Sequence, residues 1–341
     1  MINFFKKPKP IPQNSLIFDK NHYVGVDNAY VKNILVEGLA GSGKTQVFAR
    51  KTILHRDKPF VYVGTHTKEL FGDISEGLKQ KGFNVSCIEF MDDCWQPCVP
   101  YNFLTFLDVF YPCVASGEDG YYDKDNTPIN IVVEKISDYF LDKYVVNDNN
   151  YYKNFIKHTL NKSLQGIMRK TSIYEDYSSL CDNFPEDLSV GKYTEPELKQ
   201  LKKFKDDALL PLNELYKKGR NGFSRNNFKD IVNGKFAIFV QTSFKMKATK
   251  DWLLSMCVFE IFLEHLLCFF NENNYKDLLY ILDDYQEYRF FSRKILTAPS
   301  GNQFAFLMQT KSALEDMAMP LFFDVEVKYE NGKLIKFWKD D

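Results

Sequence analysis

Net charge is almost absent from this sequence: 44 lysines and arginines face 45 aspartates and glutamates, leaving −1. That balance excludes a chain coated in basic charge for duplex DNA. It leaves room for a local basic groove, or for a pore whose charge appears on oligomerisation. Paired cysteine spacing is also absent. Cys87, Cys94, Cys98, Cys113, Cys181, Cys257 and Cys268 are odd in number and irregularly spaced, with no CxxC pair. Cys94 and Cys98 would make half a metal site with no second half nearby, so the thiols read as structural or incidental. A reducing cytoplasm is the simplest setting for them. Met1 to Pro12 does not read as a secretory leader, because Pro8, Pro10 and Pro12 interrupt any apolar run. The most apolar stretch, Trp252 to Phe270, carries Glu260, Glu264 and His265. The two glutamates share one helix face, so the stretch reads as a largely buried core helix rather than a membrane span. Repeats and low-complexity tracts are missing. What the chain has in quantity is apolar and aromatic surface, 45% and 16% of its residues, which excludes global disorder. Its 341 residues accommodate one large α/β domain with an insertion, or two domains.

Periodicity then gives an α/β pattern. Ile34-Leu-Val-Glu37 is a short apolar run ending at a glycine loop, and a helical stretch follows to about Leu54. Phe60-Val-Tyr-Val63 predicts a second strand, Lys68 to Lys81 a helix stopped by Gly82, and Asn84 to Phe90 a third strand. From about Thr127 to Arg220 the pattern is helical with polar loops, an all-α insertion of roughly 90–110 residues. Strand signals return at Phe236-Ala-Ile-Phe-Val240, Leu278-Leu-Tyr-Ile-Leu282 and Phe304-Ala-Phe-Leu-Met308. Leu321 to Val327 and Leu334 to Trp338 flank Glu330-Asn-Gly332 and predict a C-terminal hairpin. Strands separated by helices predict a mainly parallel sheet covered on both faces. The expected division is a first part of a nucleotide-binding domain in 1–110, an all-α insertion in 111–225, and a second part of the nucleotide-binding domain in 226–341.

The chemistry concentrates at Gly38-Leu-Ala-Gly-Ser-Gly-Lys44-Thr45. A Gly-x4-Gly-Lys-Thr pattern arises by chance in roughly one chain of this length in a hundred, so its setting decides. Here it follows an apolar strand and opens a helix, as a phosphate-binding P-loop requires. The backbone around Gly38, Gly41, Ser42 and Gly43 can wrap phosphates, aided by the helix N-terminus. Lys44 would reach the β- and γ-phosphates of ATP, and Thr45 would ligate Mg²⁺. Such a site also needs a carboxylate at a neighbouring strand end to hold the metal. Asp283 fits, because it closes an apolar strand, and Asp284 is then the candidate to orient the attacking water. Glu287 and Glu69 are further carboxylates. Gln309 ends the next apolar strand, where a glutamine could sense the γ-phosphate or position water. His66 reads as a polar loop histidine. The basic runs Lys199 to Lys205 and Lys245 to Lys250 read as solvated faces or as contacts to DNA phosphates.

These residues resemble a family, the type IV coupling proteins of bacterial conjugation and type IV secretion. Asn33 to Thr45 looks like that family's first strand and P-loop. Phe60 to Leu104, with Gly82-Phe-Asn-Val85 and Tyr101-Asn-Phe-Leu104, looks like its second strand, helix, third strand and Tyr-Asn-Pro-Leu segment. Ile281-Leu-Asp-Asp284 is similar to its Leu-Asp-Glu motif, and Leu296 to Leu314 parallels its next helix and the strand ending in Gln-Ser. The resemblance implies a RecA-like P-loop NTPase fold with an inserted all-α domain. It also implies ATP and Mg²⁺ as cofactors, a ring of six subunits, and single-stranded DNA or relaxase nucleoprotein handed to type IV secretion components.

Three departures stand out. Thr65-His-Thr-Lys-Glu69 replaces the family's Asp-Pro-Lys-Gly-Glu and keeps only the last residue. Asp284 replaces a glutamate, one methylene longer. Ala298 stands where the family often has an arginine, although Arg289 and Arg293 lie nearby in sequence. The family's N-terminal membrane helices have no counterpart in the sequence, so the expected location is cytoplasmic, at the inner membrane only through partners. Two other readings accompany the motor: a nucleotide-binding adaptor with little or no hydrolysis, and a DNA motor of the FtsK/HerA or viral packaging type.

Overall fold

The computed structural model describes residues 10–25, 31–89, 99–100, 150–167, 180–184, 193–210, 232–242, 273–287, 298–312 and 322–339, and single positions or pairs and triplets at 259, 263, 266–267, 269–271 and 295. The chain forms two compact units. The first comprises Met1–Cys87, Ile231–Thr242 and Phe270–Asp341; the second comprises Ile88–Asp230 and Ser243–Phe269.

A nine-stranded sheet organises the first unit, with Ile88–Glu89 and Val99–Pro100 counted in the second. Its strands are β3 (Asn33–Glu37), β4 (Phe60–Gly64), β5 (Asn84–Glu89), β6 (Val99–Pro100), β7 (Phe236–Gln241), β8 (Leu279–Leu282), β9 (Gln303–Met308), β10 (Val325–Glu330) and β11 (Lys333–Lys339). They run in the order β11-β10-β3-β9-β8-β4-β7-β5-β6. The ladders β10·β3, β3·β9, β9·β8, β8·β4 and β4·β7 are parallel, and only the β10·β11 hairpin is antiparallel among the recorded pairs of this sheet. Parallel strands covered on both faces read as continuous apolar runs. Accordingly β4, β7, β8 and β9 are buried along their whole length. Each large side chain sealed there contributes about 1.5–3 kcal/mol relative to exposure. Aromatic rings fill the core: Tyr280 stacks on Phe304 at 4.6 Å, and Phe306 meets Tyr285 edge-on at 4.9 Å.

Helix α1 opens as a π-helical turn, Lys44–Ala49, and continues as Arg50–His55. The amphipathic α2, Thr67–Gln80, buries Leu70, Phe71, Ile74 and Leu78. It stops at Gly82, whose φ of 81° lies in the left-handed region.

The strand expectations hold within a few residues, and their shifts have local causes. The hairpin begins at Val325 rather than Leu321, because the Asp324 carboxylate accepts the backbone N–H groups of Lys32 and Asn33 at 2.7 and 2.8 Å. Asn331 and Gly332 both have positive φ, 48° and 72°, as a two-residue hairpin turn requires. A small ribbon was not anticipated: β1 (Leu16–Ile17) pairs antiparallel with β2 (Tyr23–Val24). Strands of two residues carry too little pattern to read.

In the second unit the described residues between 150 and 210 are helices and turns. They include α3 (Asn150–Ile167) and α4 (Glu195–Phe204), which continues as a π-helical turn, Lys205–Leu209. A capping box between Thr194 and Glu197 starts α4, with proline in its first turn. Leu201 and Phe204 point inward while Lys199, Lys202 and Lys203 are exposed, so this basic run is the outer face of an amphipathic helix. Tyr101 to Leu104, Lys245 to Lys250, Arg289, Arg293 and most of Trp252 to Phe270 lie outside the described residues. Among the described residues, no helix is long and apolar enough to cross a membrane.

The aromatic core predicts a sensitive position. Phe306→Ala is expected to cost about 3–5 kcal/mol, read as a lower urea midpoint with an unchanged slope. A cost below 1 kcal/mol would mean that the layer of Tyr285, Phe306 and Phe323 collapses around the gap.

Candidate functional site

Five parallel strands, β3, β9, β8, β4 and β7, end on one edge of the sheet, and the candidate site residues stand at those ends. Open parallel sheets bind ligands at this edge, because loops and helix N-termini converge there. Strand β9 lies between β3, which leads into the glycine loop, and β8, which ends at Asp283.

The glycine loop is held from both sides. Gly38 donates its N–H to the Met308 carbonyl at 3.0 Å, and Gly332 in the hairpin turn donates to the Ser42 carbonyl at 2.9 Å. A Cβ on Gly38 would lie 2.8 Å from the Tyr329 carbonyl oxygen, so no side chain fits there. Gly43 has φ 96°, and a Cβ would meet the Gly332 Cα at 3.0 Å. Gly41 also has positive φ, 75°. The Ser42 hydroxyl is buried without a hydrogen-bond partner. Lys44 is buried and donates to the carbonyls of Gly38 and Leu39 at 2.5 and 3.2 Å. Burial lowers its pKa, and Asp283 and Asp284 oppose that shift.

Thr45 lies in the π-helical turn, where the N–H of Arg50 reaches back to its carbonyl. Its hydroxyl donates to Asp283 Oδ2 at 2.5 Å, and the Tyr62 hydroxyl donates to the same oxygen at 2.7 Å. Asp283 Oδ1 accepts the N–H of Asp284 at 3.0 Å. Asp283 is 2% exposed. Burial raises its pKa, with Asp284 adding to the rise, while the bonds from Thr45 and Tyr62 and the Lys44 charge pull it down. Two hydroxyl donors on one carboxylate oxygen are the local answer to desolvation. The approach is close: a Cβ on Gly64 would sit 3.1 Å from both Asp283 Cβ and the Tyr62 hydroxyl.

Asp284 has φ 53°, in the left-handed region that aspartate tolerates better than most residues. Its Oδ2 accepts the Thr65 hydroxyl. Gln241, buried at the end of β7, donates to the Thr65 carbonyl at 2.8 Å and accepts the Lys68 N–H at 3.0 Å. Gln309 is exposed at the end of β9; its N–H meets Gln286 Oε1 at 3.3 Å, and its side chain makes no hydrogen bond to either aspartate.

The structure thus brings Lys44, Thr45, Asp283 and Asp284 together, with Gln309 on the strand between. Glu69 lies elsewhere, exposed and paired with His66 at 3.7 Å. Glu287 closes a short 3₁₀ turn, Tyr285–Glu287. Sequence reasoning did not find Tyr62, Thr65 or Gln241. A tyrosine hydroxyl in an otherwise apolar strand, and a glutamine closing one, were the available signals.

No protein-family model matches the chain, and no curated protein matches it in sequence. Solved structures do match. The bacterial conjugative coupling protein TrwB, in a trigonal form with sulphate and an unbound monoclinic form, aligns with TM-scores of 0.51 and 0.52 at 14% identity, over 86% of this chain and 68% of that chain. VirB4 of Thermoanaerobacter pseudethanolicus aligns with a TM-score of 0.54 at 11% identity, over 92% of this chain and 83% of that one. At such identities the likeness is one of fold: this chain has the α/β RecA-like P-loop NTPase architecture shared by a coupling protein and VirB4.

The desolvated carboxylate carries a stability cost with a definite sign. A folded pKa above the unfolded value means the folded state binds more protons between the two, so stability falls as pH rises through that window. Asp283→Asn, assayed without divalent cations, is therefore expected to raise stability at pH 7 and to flatten the pH dependence above the ordinary carboxylate range. A loss of stability would show that the bonds from Thr45 and Tyr62 outweigh burial.

Proposed function

We propose that the chain is an ATP-binding and ATP-hydrolysing motor of the coupling-protein kind, which recruits or moves DNA or nucleoprotein at a type IV secretion machinery. The observation that carries this reading is the 2.5 Å pairing of Thr45 with Asp283, because it sets two hard oxygen donors side by side next to the P-loop lysine. Mg²⁺ takes such ligands one or two at a time and completes its shell with water and phosphate oxygens. The residues fit the rest of the ligand as well. The Ser42 hydroxyl is a buried donor without a partner, and Gly38 and Gly43 lie too close to the C-terminal hairpin to carry side chains.

On this reading the backbone from Gly38 to Gly43 cradles the phosphates, and Lys44 exchanges the carbonyls of Gly38 and Leu39 for the β- and γ-phosphates. Thr45 and Asp283 would hold the metal, which would supply charge neutralisation at the phosphates. Asp284 orients the attacking water, and Gln309 senses the γ-phosphate from the strand between. Residues 111–225 form an α-domain inserted between the two parts of the nucleotide-binding domain. Six copies form a ring in the cytoplasm, at the inner membrane through partners, and single-stranded DNA or a relaxase nucleoprotein is the substrate.

A second reading, a nucleotide-gated adaptor, is favoured by Asp284 in place of a glutamate and by Ala298, which offers no cation to a phosphate. ATP turnover by the purified protein, with and without single-stranded DNA, separates the two. For the motor, turnover rises with DNA and falls about a hundredfold or more in Lys44→Ala and Asp283→Ala. Tight ATP binding with no turnover, with or without DNA, would sink the motor and leave the adaptor.

A further inference from the structure

The two acidic residues at the end of β8 are held by different donors. Asp283 takes hydroxyls from Thr45 and Tyr62. Asp284 is held from the loop between β4 and α2, through the hydroxyl of Thr65. That loop is itself tied down on its other side. The Gln241 side chain spans it, donating to the Thr65 carbonyl at 2.8 Å and accepting the Lys68 N–H at 3.0 Å. The second proton of its amide goes to the Thr242 carbonyl at 3.0 Å. Thr67, buried at the start of α2, donates to the carbonyls of Gly64 and Val240 at 2.8 and 2.9 Å. The loop is therefore clamped between the ends of β4 and β7, and its one bond toward the acidic pair is the Thr65 hydroxyl.

We infer that Thr65 is a positioning residue for the proposed hydrolysis: its hydroxyl, set by Gln241, aims the Asp284 carboxylate. This rests on the reading of the site as ATP-hydrolysing. Chemistry at this position asks for a carboxylate held in one orientation, since a misplacement of about 1 Å can cost a hundredfold in rate. An aspartate is one methylene shorter than a glutamate and starts here from a left-handed backbone, φ 53°. Its side chain cannot find a distant partner, and a hydroxyl brought close by the neighbouring loop supplies one. Thr65 and Asp284 are two departures from the coupling-protein pattern that lie far apart in sequence, and in this chain one hydrogen bond links them.

Isosteric replacement isolates the hydroxyl. Thr65→Val keeps the shape and loses the donor, while Thr65→Ser keeps the donor. Steady-state ATP turnover and equilibrium binding of a fluorescent ATP analogue are measured for both, for Asp284→Asn, for Asp284→Asn combined with Thr65→Val, and for Lys44→Ala. The expected result is a kcat about tenfold lower in Thr65→Val with nucleotide affinity unchanged, restoration in Thr65→Ser, and no further loss when Thr65→Val is added to Asp284→Asn. Equal losses in the valine and serine variants, full turnover in Thr65→Val, or additive losses in the double variant would overturn the inference. Wild-type turnover that Lys44→Ala leaves intact would overturn the underlying reading of the site instead. Should the wild-type protein bind ATP without turning it over, crystal structures of the two Thr65 variants decide. The Asp284 carboxylate is expected to keep its orientation with serine and to turn away with valine; an unmoved carboxylate in Thr65→Val would sink the idea.

Discussion

A hydroxyl and a carboxylate that stand 238 positions apart in sequence, Thr45 and Asp283, meet at 2.5 Å, and most of the first unit exists to make that meeting possible. Their strands are not neighbours: β9 lies between β3 and β8. Bringing the two ends together requires three parallel strands in register, and parallel strands require crossovers to bring the chain back to the same end. The apolar runs of β3, β9 and β8 hold these strands in the interior of the sheet by burying their side chains on both faces.

A desolvated carboxylate is costly, and the neighbourhood of Asp283 is arranged around that cost. Thr45 and Tyr62 donate to one oxygen and the Asp284 N–H to the other. Gly64 has no side chain where one would intrude on the pair. Buried polar networks of this kind rigidify a site when every member is satisfied and are expensive otherwise. The glycine loop follows the same logic in backbone terms: strand β9 on one side and the turn at Gly332 on the other hold it open. A loop braced in this way is ordered by the fold itself, and preorganisation of that kind would lower the entropic penalty of the proposed nucleotide binding.

The likeness to TrwB and VirB4 extends over most of the chain at only 11–14% identity. Fold outlasting sequence to this degree is expected where packing accepts any apolar residue of suitable volume. The glycine loop tolerates far less, since a Cβ on Gly38 or Gly43 would meet backbone atoms of the hairpin at 2.8 and 3.0 Å. Fold likeness does not transfer an activity, so the proposed function rests on the constellation of Lys44, Thr45, Asp283 and Asp284 rather than on the superposition.

By itself the sequence determined the element types and singled out Lys44, Thr45, Asp283 and Asp284, which the fold brings together at the candidate site. Glycines in a loop between an apolar strand and a helix, and an acidic pair ending another apolar strand, are local patterns with local causes, and periodicity reports them. Tertiary structure alone decided who holds whom. Tyr62 donates to Asp283 because β4 happens to lie beside β8, and Gln241 reaches the Thr65 loop because β7 lies beside β4. Strand order carries no signal in a single chain, since an apolar run is compatible with any neighbour. The brace from Gly332 to the glycine loop was equally hidden: the Asn-Gly turn was legible as a turn, but not the surface it would touch. Short-range sterics are written residue by residue, whereas hydrogen bonds between strand ends exist only once the sheet has chosen its order.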